Sequence, residues 1–310
     1  MAKMKAVYIE RFGGPETLQL HEVDRPSPKD DEILIRVRAA SVNPVDYKIR
    51  SGKYPAVTEK NLPKVLGRDV AGVVEACGIA VKEFQRGDEV FAMLDGATGG
   101  YAEFVAVRAN LCARKPLNLS FVQAAAVPLA AITAWQGLFD QGGLTGGQRV
   151  LIHGGAGGVG HFAIQFAKVS DAFVATTCSA NDKDFVDSLG ADVAIDYKSE
   201  RFEDIVGEVD LVFDLVSGDT QERSWAVLKD GGTLVSTLSK PSERQAQLHH
   251  ARAMNYMAKP DAQELEHIAV LITQGKVHPH VEATLPLQQV RAAHAKMETE
   301  HPHGKVVLEV

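Results

Sequence analysis

Six small residues between two apolar segments form the clearest candidate for chemistry in this sequence. The segment 150–168 reads VLIHGGAGGVGHFAIQFAK, an apolar run that enters a glycine-rich loop and an apolar-periodic run that leaves it. The loop has the spacing G-x-G-x-x-G and consists of Gly155, Ala156, Gly157, Gly158, Val159 and Gly160. Because a strand precedes the loop and a helix follows it, this spacing predicts a dinucleotide site with the pyrophosphate at the helix N-terminus. The alternative is a tight strand–helix turn without a ligand.

The residue at the end of the following strand indicates which dinucleotide is bound. NAD-preferring sites place a carboxylate there to bind the ribose 2′-hydroxyl, whereas Ser179 stands here, 24 residues after Gly155. A serine does not repel a 2′-phosphate, and Lys183 adds positive charge, although Asp182 and Asp184 flank it. The sequence therefore favours NADP over NAD. The alternative for Lys183 is an ordinary solvated residue in the first turn of a helix.

Two different patterns of secondary structure surround these residues. The first 117 residues read as short alternating strands with Gly, Pro and Asp between them, which predicts a β-rich module. A capping box of Ser120 and Gln123 predicts a helix that Pro128 breaks or kinks, with a second helix continuing to about Phe139. From Arg149 onward, Val/Ile/Leu-rich strands alternate with helices, which predicts a parallel sheet covered on both faces.

Composition and charge exclude several classes of protein. The chain has 310 residues, of which 45% are hydrophobic and 24% charged, and this length suits about two domains. A net charge of −7 argues against a surface for nucleic acid or anionic membranes. Three scattered cysteines, the lack of an apolar signal segment and the lack of a bilayer-spanning apolar run predict a cytoplasmic protein.

The whole chain resembles the medium-chain dehydrogenase/reductase superfamily. The resemblance rests on the motifs GGPETLQL, LGRDVAGVVEACG, GDEVFAM, YAEFVAV, GGAGGVG, LGADVAIDY and GKVVLEV. It implies an α/β fold with a GroES-like β-rich catalytic domain, a Rossmann domain built on a doubly wound parallel sheet, and a homodimer. The implied boundaries are 1–117 for the GroES-like N-terminal domain, 118–260 for the Rossmann NADP-binding domain, and 261–310 for a C-terminal segment that completes the Rossmann sheet and returns to the catalytic domain.

The zinc ligands of the alcohol dehydrogenases in this superfamily are missing from the sequence. Those enzymes have a cysteine where this chain reads SVNPVDYK, and Gly-His-Glu where it reads Gly67-Arg68-Asp69, and arginine does not ligate zinc. Three cysteines are also too few for a four-cysteine structural zinc lobe. The histidine pairs are interpreted as surface residues: His249/His250, His278/His280 and His301/His303. The sequence is therefore similar to the zinc-independent quinone oxidoreductases and alkenal/enone reductases, the ζ-crystallin-like group, and we expect no metal.

This group implies the remaining site residues. Its substrate segment corresponds to NPVDYKIRSGKYP, where the expected catalytic residues are Asn43, Asp46, Lys48 and Tyr54. The expected cofactor contacts besides the glycine loop are Thr133, Ser179, Lys183, Tyr197 and Lys305. Lys48 is more similar to the plant alkenal/enone reductases than to the quinone reductases, which often have tyrosine at this place. For Asn43 and Asp46, capping of a turn after a strand remains the alternative.

The expected reaction is a metal-free reduction by NADPH. Hydride from C4 of the nicotinamide would reach a quinone or the β-carbon of an α,β-unsaturated carbonyl, and Lys48, Tyr54 or Asn43 would donate a hydrogen bond to the acceptor oxygen. Asp46 is expected to orient Lys48 or a water. The expected partner is a small-molecule quinone or enone, with no nucleic acid and no membrane. Two alternatives remain: an NADPH-binding protein of the same fold with a structural or partner-mediated role, and a zinc alcohol dehydrogenase.

Overall fold

The computed structural model describes residues 2–300 and 302–310, so His301 of the predicted His301/His303 pair lies outside the described residues. The chain divides into two compact units. The first unit contains the chain up to Leu129 together with Pro260–Gly275 and Pro279–Val310, and the second contains Ala130–Lys259 and Lys276–His278. Residues 118–129, which were predicted to lie in the Rossmann domain, belong to the first unit. Most of 261–310, which was predicted to return to the catalytic domain, lies in the first unit as well.

The helices and strands follow the predicted change of pattern along the chain. The N-terminal elements are β1 (Lys3–Ile9), β2 (Gln19–Asp24), β3 (Glu32–Val42), α1 (Pro44–Arg50), β4 (Lys64–Val65), β5 (Asp69–Cys77), β6 (Glu89–Met93), β7 (Phe104–Arg108), β8 (Cys112–Arg114) and α2 (Phe121–Ala125). The middle elements are α3 (Pro128–Trp135), β9 (Arg149–His153), α4 (Gly160–Val169), β10 (Phe173–Cys178), α5 (Lys183–Ser188), β11 (Val193–Asp196), β12 (Val209–Asp214), α6 (Asp219–Ser224), β13 (Leu228–Ser236), α7 (Glu243–Leu248) and β14 (Arg252–Asn255). The C-terminal elements are α8 (Ala262–Thr273), β15 (Val281–Pro286), α9 (Val290–Thr299) and β16 (Lys305–Glu309).

A seven-stranded sheet is the main element of the first unit. Its strand order is β15-β16-β3-β5-β6-β8, and β7 also pairs with β3. The long strand β3 is antiparallel to β5, β7 and β16, while β2, β1 and β4 form a separate three-stranded sheet. Alternating side chains such as Ile33, Ile35 and Val37 of β3 pack in one buried core cluster with Val70 and Val74 of β5, as the period of two predicts.

The C-terminal segment joins the first unit rather than the parallel sheet of the second. Strand β16 pairs antiparallel with β3, with Val306 opposite Val42 and Leu308 opposite Ala40. Val306 and Leu308 are fully buried in the same core cluster as Val42. The last strand that pairs with the parallel sheet is β14, so the predicted completion of that sheet by residues 261–310 is not seen in the described residues.

The helix after the β-rich module starts where the capping box predicts. The amide of Gln123 donates to the Ser120 hydroxyl, and the amide of Ser120 donates to the Gln123 side chain, at 3.2 and 3.0 Å. Pro128 begins a new helix, α3, and residues Gln136–Gln141 continue it as a π-helical turn. Helix α2 contacts β3 and β5, which explains why it belongs to the first unit. No helix in residues 2–300 or 302–310 is long and apolar enough to cross a membrane.

The second unit is built on a six-stranded sheet of order β11-β10-β9-β12-β13-β14. All of its strand pairs are parallel, and helices connect most of its strands. This order places the switch in connection direction between β9 and β12, the point at which ligands bind in such sheets. The predicted α/β fold, a β-rich unit followed by a Rossmann doubly wound sheet, is confirmed.

Candidate functional site

The glycine loop lies between β9 and α4 in the second unit. Hydrogen bonds to the neighbouring strand β10 hold the beginning of the loop in place. The amides of Gly154 and Gly155 both donate to the carbonyl oxygen of Thr177 in β10, at 3.1 and 3.0 Å. A Cβ atom at Gly155 would lie 2.1 Å from Thr176 Oγ1, and one at Gly160 would lie 2.2 Å from the Gly154 carbonyl oxygen. Close packing within the unit therefore requires glycine at both positions.

Gly157 differs from Gly155 and Gly160 in what surrounds it, and this difference shows whether the loop fits a cofactor. A Cβ atom there would meet nothing closer than the Gly154 carbonyl oxygen at 3.4 Å, so the packing of the unit does not require glycine. Close approach of a pyrophosphate to the backbone explains it. The first turn of α4 carries no acidic residue, so the partial positive charge of the helix N-terminus is available to an anion. The loop fits a dinucleotide.

Three predicted cofactor contacts come together at the carboxyl edge of the parallel sheet. Cys178 and Asp196 are register partners at the ends of β10 and β11, so Ser179 and Tyr197 follow directly from neighbouring strands. Tyr197 is exposed, with 59% of its residue surface accessible. Lys183 begins α5. The predicted group Ser179, Lys183 and Tyr197 therefore occupies one edge of the second unit, at the ends of β10 and β11.

Two carboxylates engage this group. The Ser179 hydroxyl donates to Asp182 Oδ2 at 2.9 Å, and the Lys183 ammonium donates to Glu200 Oε2 at 2.8 Å. Asp182 was visible in the sequence as a neighbour of Lys183. Glu200 was missed, because it lies 17 residues further along the chain and no local pattern connects it to Lys183.

Thr133 lies in α3 and is buried, with an exposed fraction of 7%. Its main-chain carbonyl accepts a hydrogen bond from the Tyr256 hydroxyl, and Gln136, further along the chain, donates to the carbonyl of Lys259 at 2.9 Å. The chain just after β14 therefore holds α3 in place within the second unit.

A buried polar cluster in the first unit contains two of the predicted site residues, Asn43 and Lys305. Asn43 Nδ2 donates to Asp69 Oδ2 at 2.8 Å, and the Ser41 hydroxyl donates to the same oxygen at 2.6 Å. The Lys305 ammonium donates to Asn43 Oδ1 and lies 3.6 Å from Asp69 Oδ2. Burial lowers the pKa of Lys305, while Asp69 acts against this shift. Both polar groups of the Asn43 side chain, and the predicted cofactor contact Lys305, are therefore engaged within the first unit.

Asp46 holds the start of α1. Its Oδ2 atom accepts the Asn43 amide at 2.8 Å and the Tyr101 hydroxyl at 3.0 Å, and its Oδ1 atom accepts the Gly67 amide at 3.2 Å. The side chain is fully buried, and this burial raises the pKa of Asp46 to about 6. The capping role that the sequence left open for Asp46 is present in the structure.

A buried hydrogen-bonded chain extends from Asp46 to the surface. His294 Nε2 lies 3.3 Å from the Tyr101 hydroxyl, and Arg50 Nη1 lies 3.2 Å from His294 Nδ1. Because arginine only donates, Nδ1 is the acceptor, the ring proton lies on Nε2, and the Tyr101 hydroxyl donates to Asp46. Arg50 Nη2 also donates to both carboxylate oxygens of Glu298, at 2.9 and 2.8 Å. This series of hydrogen bonds was not predicted from the sequence, because its residues lie far apart in the sequence.

Lys48 and Tyr54 complete the predicted catalytic set. Both are half-buried, and Tyr54 packs against the core cluster that contains Val42 and Ile49. Within residues 2–300 and 302–310 the Lys48 ammonium forms no hydrogen bond or ion pair. Lys48 therefore differs from Asn43, since its donor is not engaged by the protein.

The position of the missing zinc ligand is occupied by a fixed guanidinium. Arg68 precedes β5, is half-buried, and donates from Nε to the Leu94 carbonyl at 2.7 Å. Among the described residues there is no group of three or more His, Cys, Asp or Glu side chains that could hold a metal ion.

Two domain families match this chain. Residues 29–117 match the alcohol dehydrogenase GroES-like domain, and residues 189–308 match the zinc-binding dehydrogenase domain. The GroES-like match lies in the first unit, and the other match begins directly after α5 and ends within β16.

Curated relatives and solved structures extend the match to nearly the whole chain. The 2-methylene-furan-3-one reductase of Solanum lycopersicum is 38% identical over 99% of this chain and 79% of its own length. The NADPH-dependent alkenal/one oxidoreductase of Arabidopsis thaliana is 39% identical, with the same coverage. The quinone oxidoreductase of Coxiella burnetii superimposes with a TM-score of 0.93 at 36% identity over 100% of both chains. The chain therefore belongs to the medium-chain dehydrogenase/reductase superfamily, among its quinone oxidoreductases and alkenal/one reductases, and is a nicotinamide-dependent oxidoreductase.

Proposed function

We propose that the protein is an NADPH-dependent, zinc-independent reductase of quinones or α,β-unsaturated carbonyls. The observation that carries the proposal is the edge of the second unit, where a glycine loop that fits a pyrophosphate accompanies Ser179, Lys183 and Tyr197 at the ends of β10 and β11. The activities for which the tomato, Arabidopsis and Coxiella relatives are named support the same substrate classes.

The cofactor would be held by the second unit. The loop Gly155–Gly160 would bind the pyrophosphate, and Ser179, Lys183 and Tyr197 would bind the 2′-phosphate. When bound, the reduced nicotinamide supplies the hydride. Serine at position 179 supports NADPH over NADH, because a carboxylate at this place would repel the 2′-phosphate.

The acceptor oxygen needs a hydrogen-bond donor, because negative charge develops on it during reduction. The Asn43 amide is already bonded to Asp69. The Asp46 carboxylate accepts three hydrogen bonds, one in the capping of α1 and two from Gly67 and Tyr101. The unengaged Lys48 ammonium is therefore our preferred donor to the acceptor oxygen. Its resemblance to the plant enone reductases tilts the proposed substrate toward enones.

No zinc is required in this proposal. Arg68 stands where the zinc-dependent relatives have a ligand histidine, and its guanidinium is bonded to the Leu94 carbonyl. A charged arginine is not a zinc ligand. Elemental analysis of the purified protein is expected to find less than stoichiometric zinc, and stoichiometric zinc needed for turnover would refute this part of the proposal.

The decisive experiment follows NADPH consumption with a panel of acceptors. We expect turnover with 9,10-phenanthrenequinone, with a medium-chain 2-alkenal, or with both, and the ratio of the two kcat/KM values distinguishes quinone from enone specificity. NADPH binding without turnover of any acceptor would favour the alternative, an NADPH-binding protein that acts structurally or through a partner.

We also propose that the protein is cytoplasmic and forms a homodimer. Three free cysteines, two of them buried, support a reducing compartment, and the family resemblance supports the dimer. Sedimentation of the purified protein tests the oligomeric state, and fractionation of cells tests the location.

A further inference from the structure

The two side chains proposed to bind the 2′-phosphate already have negatively charged partners. The Ser179 hydroxyl donates to Asp182, and the Lys183 ammonium forms a 2.8 Å ion pair with Glu200. The side chains of Lys183 and Glu200 are 35% and 37% exposed, so the pair is accessible from solvent. The ammonium has three N–H donors, and one of them is used by Glu200.

Glu200 is held in place by the backbone as well as by the lysine. The same oxygen that accepts Lys183 also accepts the amide of Asp196 at 2.7 Å. Asp196 is the last residue of β11 and the register partner of Cys178, so the carboxylate is fixed beside the end of β10. The hydrogen bond from Lys183 lowers the pKa of Glu200, and the same bond raises the pKa of Lys183. Both groups are therefore charged near neutral pH, and the pair is neutral as a whole.

We propose that Glu200 is a specificity-determining residue that weakens the preference of this enzyme for NADPH over NADH. The inference rests on the proposed function, since it concerns the 2′-phosphate of NADPH. A phosphate monoester carries a charge of about −1.5 to −2 near pH 7, and it must share Lys183 with a fixed carboxylate of the same sign. NADH has no 2′-phosphate, so Glu200 does not weaken the binding of NADH at this place.

The test is the variant Glu200→Gln. The amide oxygen of glutamine still accepts the Asp196 amide and a Lys183 hydrogen, but the negative charge is gone. We expect the Kd for NADPH to fall about threefold to tenfold, the effect of one partly screened charge at close range, while the Kd for NADH stays unchanged. Both constants are measured by calorimetric titration without an acceptor, so the readout does not depend on turnover.

Asp184→Asn is the matched control. It removes the same charge from the residue next to Lys183, but Asp184 is exposed and forms no hydrogen bond with that lysine. We expect a smaller change than for Glu200→Gln. In a Lys183→Ala background, Glu200→Gln is expected to give less gain in NADPH affinity, because the lysine for which both anions compete is absent.

The possible outcomes separate this inference from the proposed function. If the unchanged protein does not bind NADPH, the proposed function is refuted, and the inference with it. If the unchanged protein binds NADPH but Glu200→Gln leaves the ratio of the two Kd values unchanged, the inference alone is wrong. Weaker NADPH binding in Glu200→Gln would also overturn it, since Glu200 would then be orienting Lys183. If Glu200→Gln loses NADH binding as well, the two Kd values are measured with Glu200→Ala instead. We expect the same change in their ratio for that variant.

Discussion

Serine stands at position 179, where an NAD-preferring site has a carboxylate. The charge at this edge of the second unit does not depend on Ser179 alone, however. Lys183 is paired with Glu200, and the Ser179 hydroxyl is bonded to Asp182. Individual side chains therefore set how strongly this edge favours a 2′-phosphate, and their exchange has measurable consequences for binding.

Reversing the charge of Lys183 should affect NADPH far more than NADH. In Lys183→Glu a second carboxylate faces Glu200, and a 2′-phosphate would meet repulsion instead of attraction, so we expect NADPH affinity to fall by about tenfold or more. Titration with both nucleotides measures the effect, with Lys240→Glu on the exposed surface of the same unit as the control. Equal weakening of both nucleotides would show that Lys183 does not contact the 2′-phosphate.

Removing the Lys48 ammonium should affect catalysis and leave cofactor binding intact. In Lys48→Met the acceptor oxygen loses its proposed donor, and loss of one such donor lowers kcat by about 100-fold or more. Stopped-flow measurement of NADPH oxidation checks this, while the Kd for NADPH should be unchanged. Lys53→Met, a nearby exposed lysine, is the control. Unchanged kcat in Lys48→Met would assign the donor role to another residue.

At the scale of elements, one buried carboxylate determines where α1 begins and how it is held against the start of β5. Asp46 accepts the amides of Asn43 and Gly67 and the Tyr101 hydroxyl. These contacts fix the helix that carries Lys48, so the helix start and the proposed oxygen donor depend on the same side chain. The capping pattern was readable from the sequence, whereas the Gly67 and Tyr101 partners required the tertiary fold.

Asp46→Asn should destabilise the first unit. Asparagine has a single acceptor oxygen, and its NH₂ group would face a backbone or hydroxyl donor, so a buried donor loses its partner at a cost of about 1–3 kcal/mol. The free energy of unfolding, measured in urea by circular dichroism, should fall by this amount. Asp187→Asn, at an exposed position of α5, should change it by less than about 0.5 kcal/mol. Equal stability of the two variants would contradict a structural role for Asp46.

At the scale of the whole molecule, each unit buries a histidine in its neutral form. Burial, together with Arg50, lowers the pKa of His294 to about 3, and burial lowers the pKa of His153 in the second unit to about 4. Below pH 6.5 the unfolded chain protonates these residues while the folded chain does not, so stability falls as the pH decreases. Asp46, with its pKa raised to about 6, acts in the opposite direction between pH 6 and pH 3.8.

His294 and His153 lower the stability as the pH decreases, and only Asp46 raises it. We therefore expect the protein to be less stable at pH 5 than at pH 7. Replacing His294 with glutamine, which can accept from Arg50 and donate to Tyr101, should reduce this loss. Urea unfolding at the two pH values measures it, with the exposed His267→Gln as the control. If His294→Gln and the unchanged protein lost the same stability between pH 7 and pH 5, His294 would not be buried in the neutral form.

The sequence by itself determined what depends on local patterns. The strand alternation, the parallel sheet, the glycine loop, the Ser120 capping box and serine at position 179 were all readable, because each is a matter of residue spacing along a few turns or strands. The missing zinc-ligand histidine at Arg68 was readable only through the resemblance to the alcohol dehydrogenases of the superfamily.

Only the tertiary structure decided what depends on residues far apart in the chain. It paired Lys183 with Glu200, buried Lys305 against Asn43 and Asp69, and joined β16 to β3. No period in the sequence encodes these partners, since long-range pairing follows from how the sheets assemble. The physical reason is that the spacing of residues determines which face of a helix or strand a side chain occupies. Its hydrogen-bond and charge partners come from other segments of the folded chain, and these partners decide which of its donors stay unengaged.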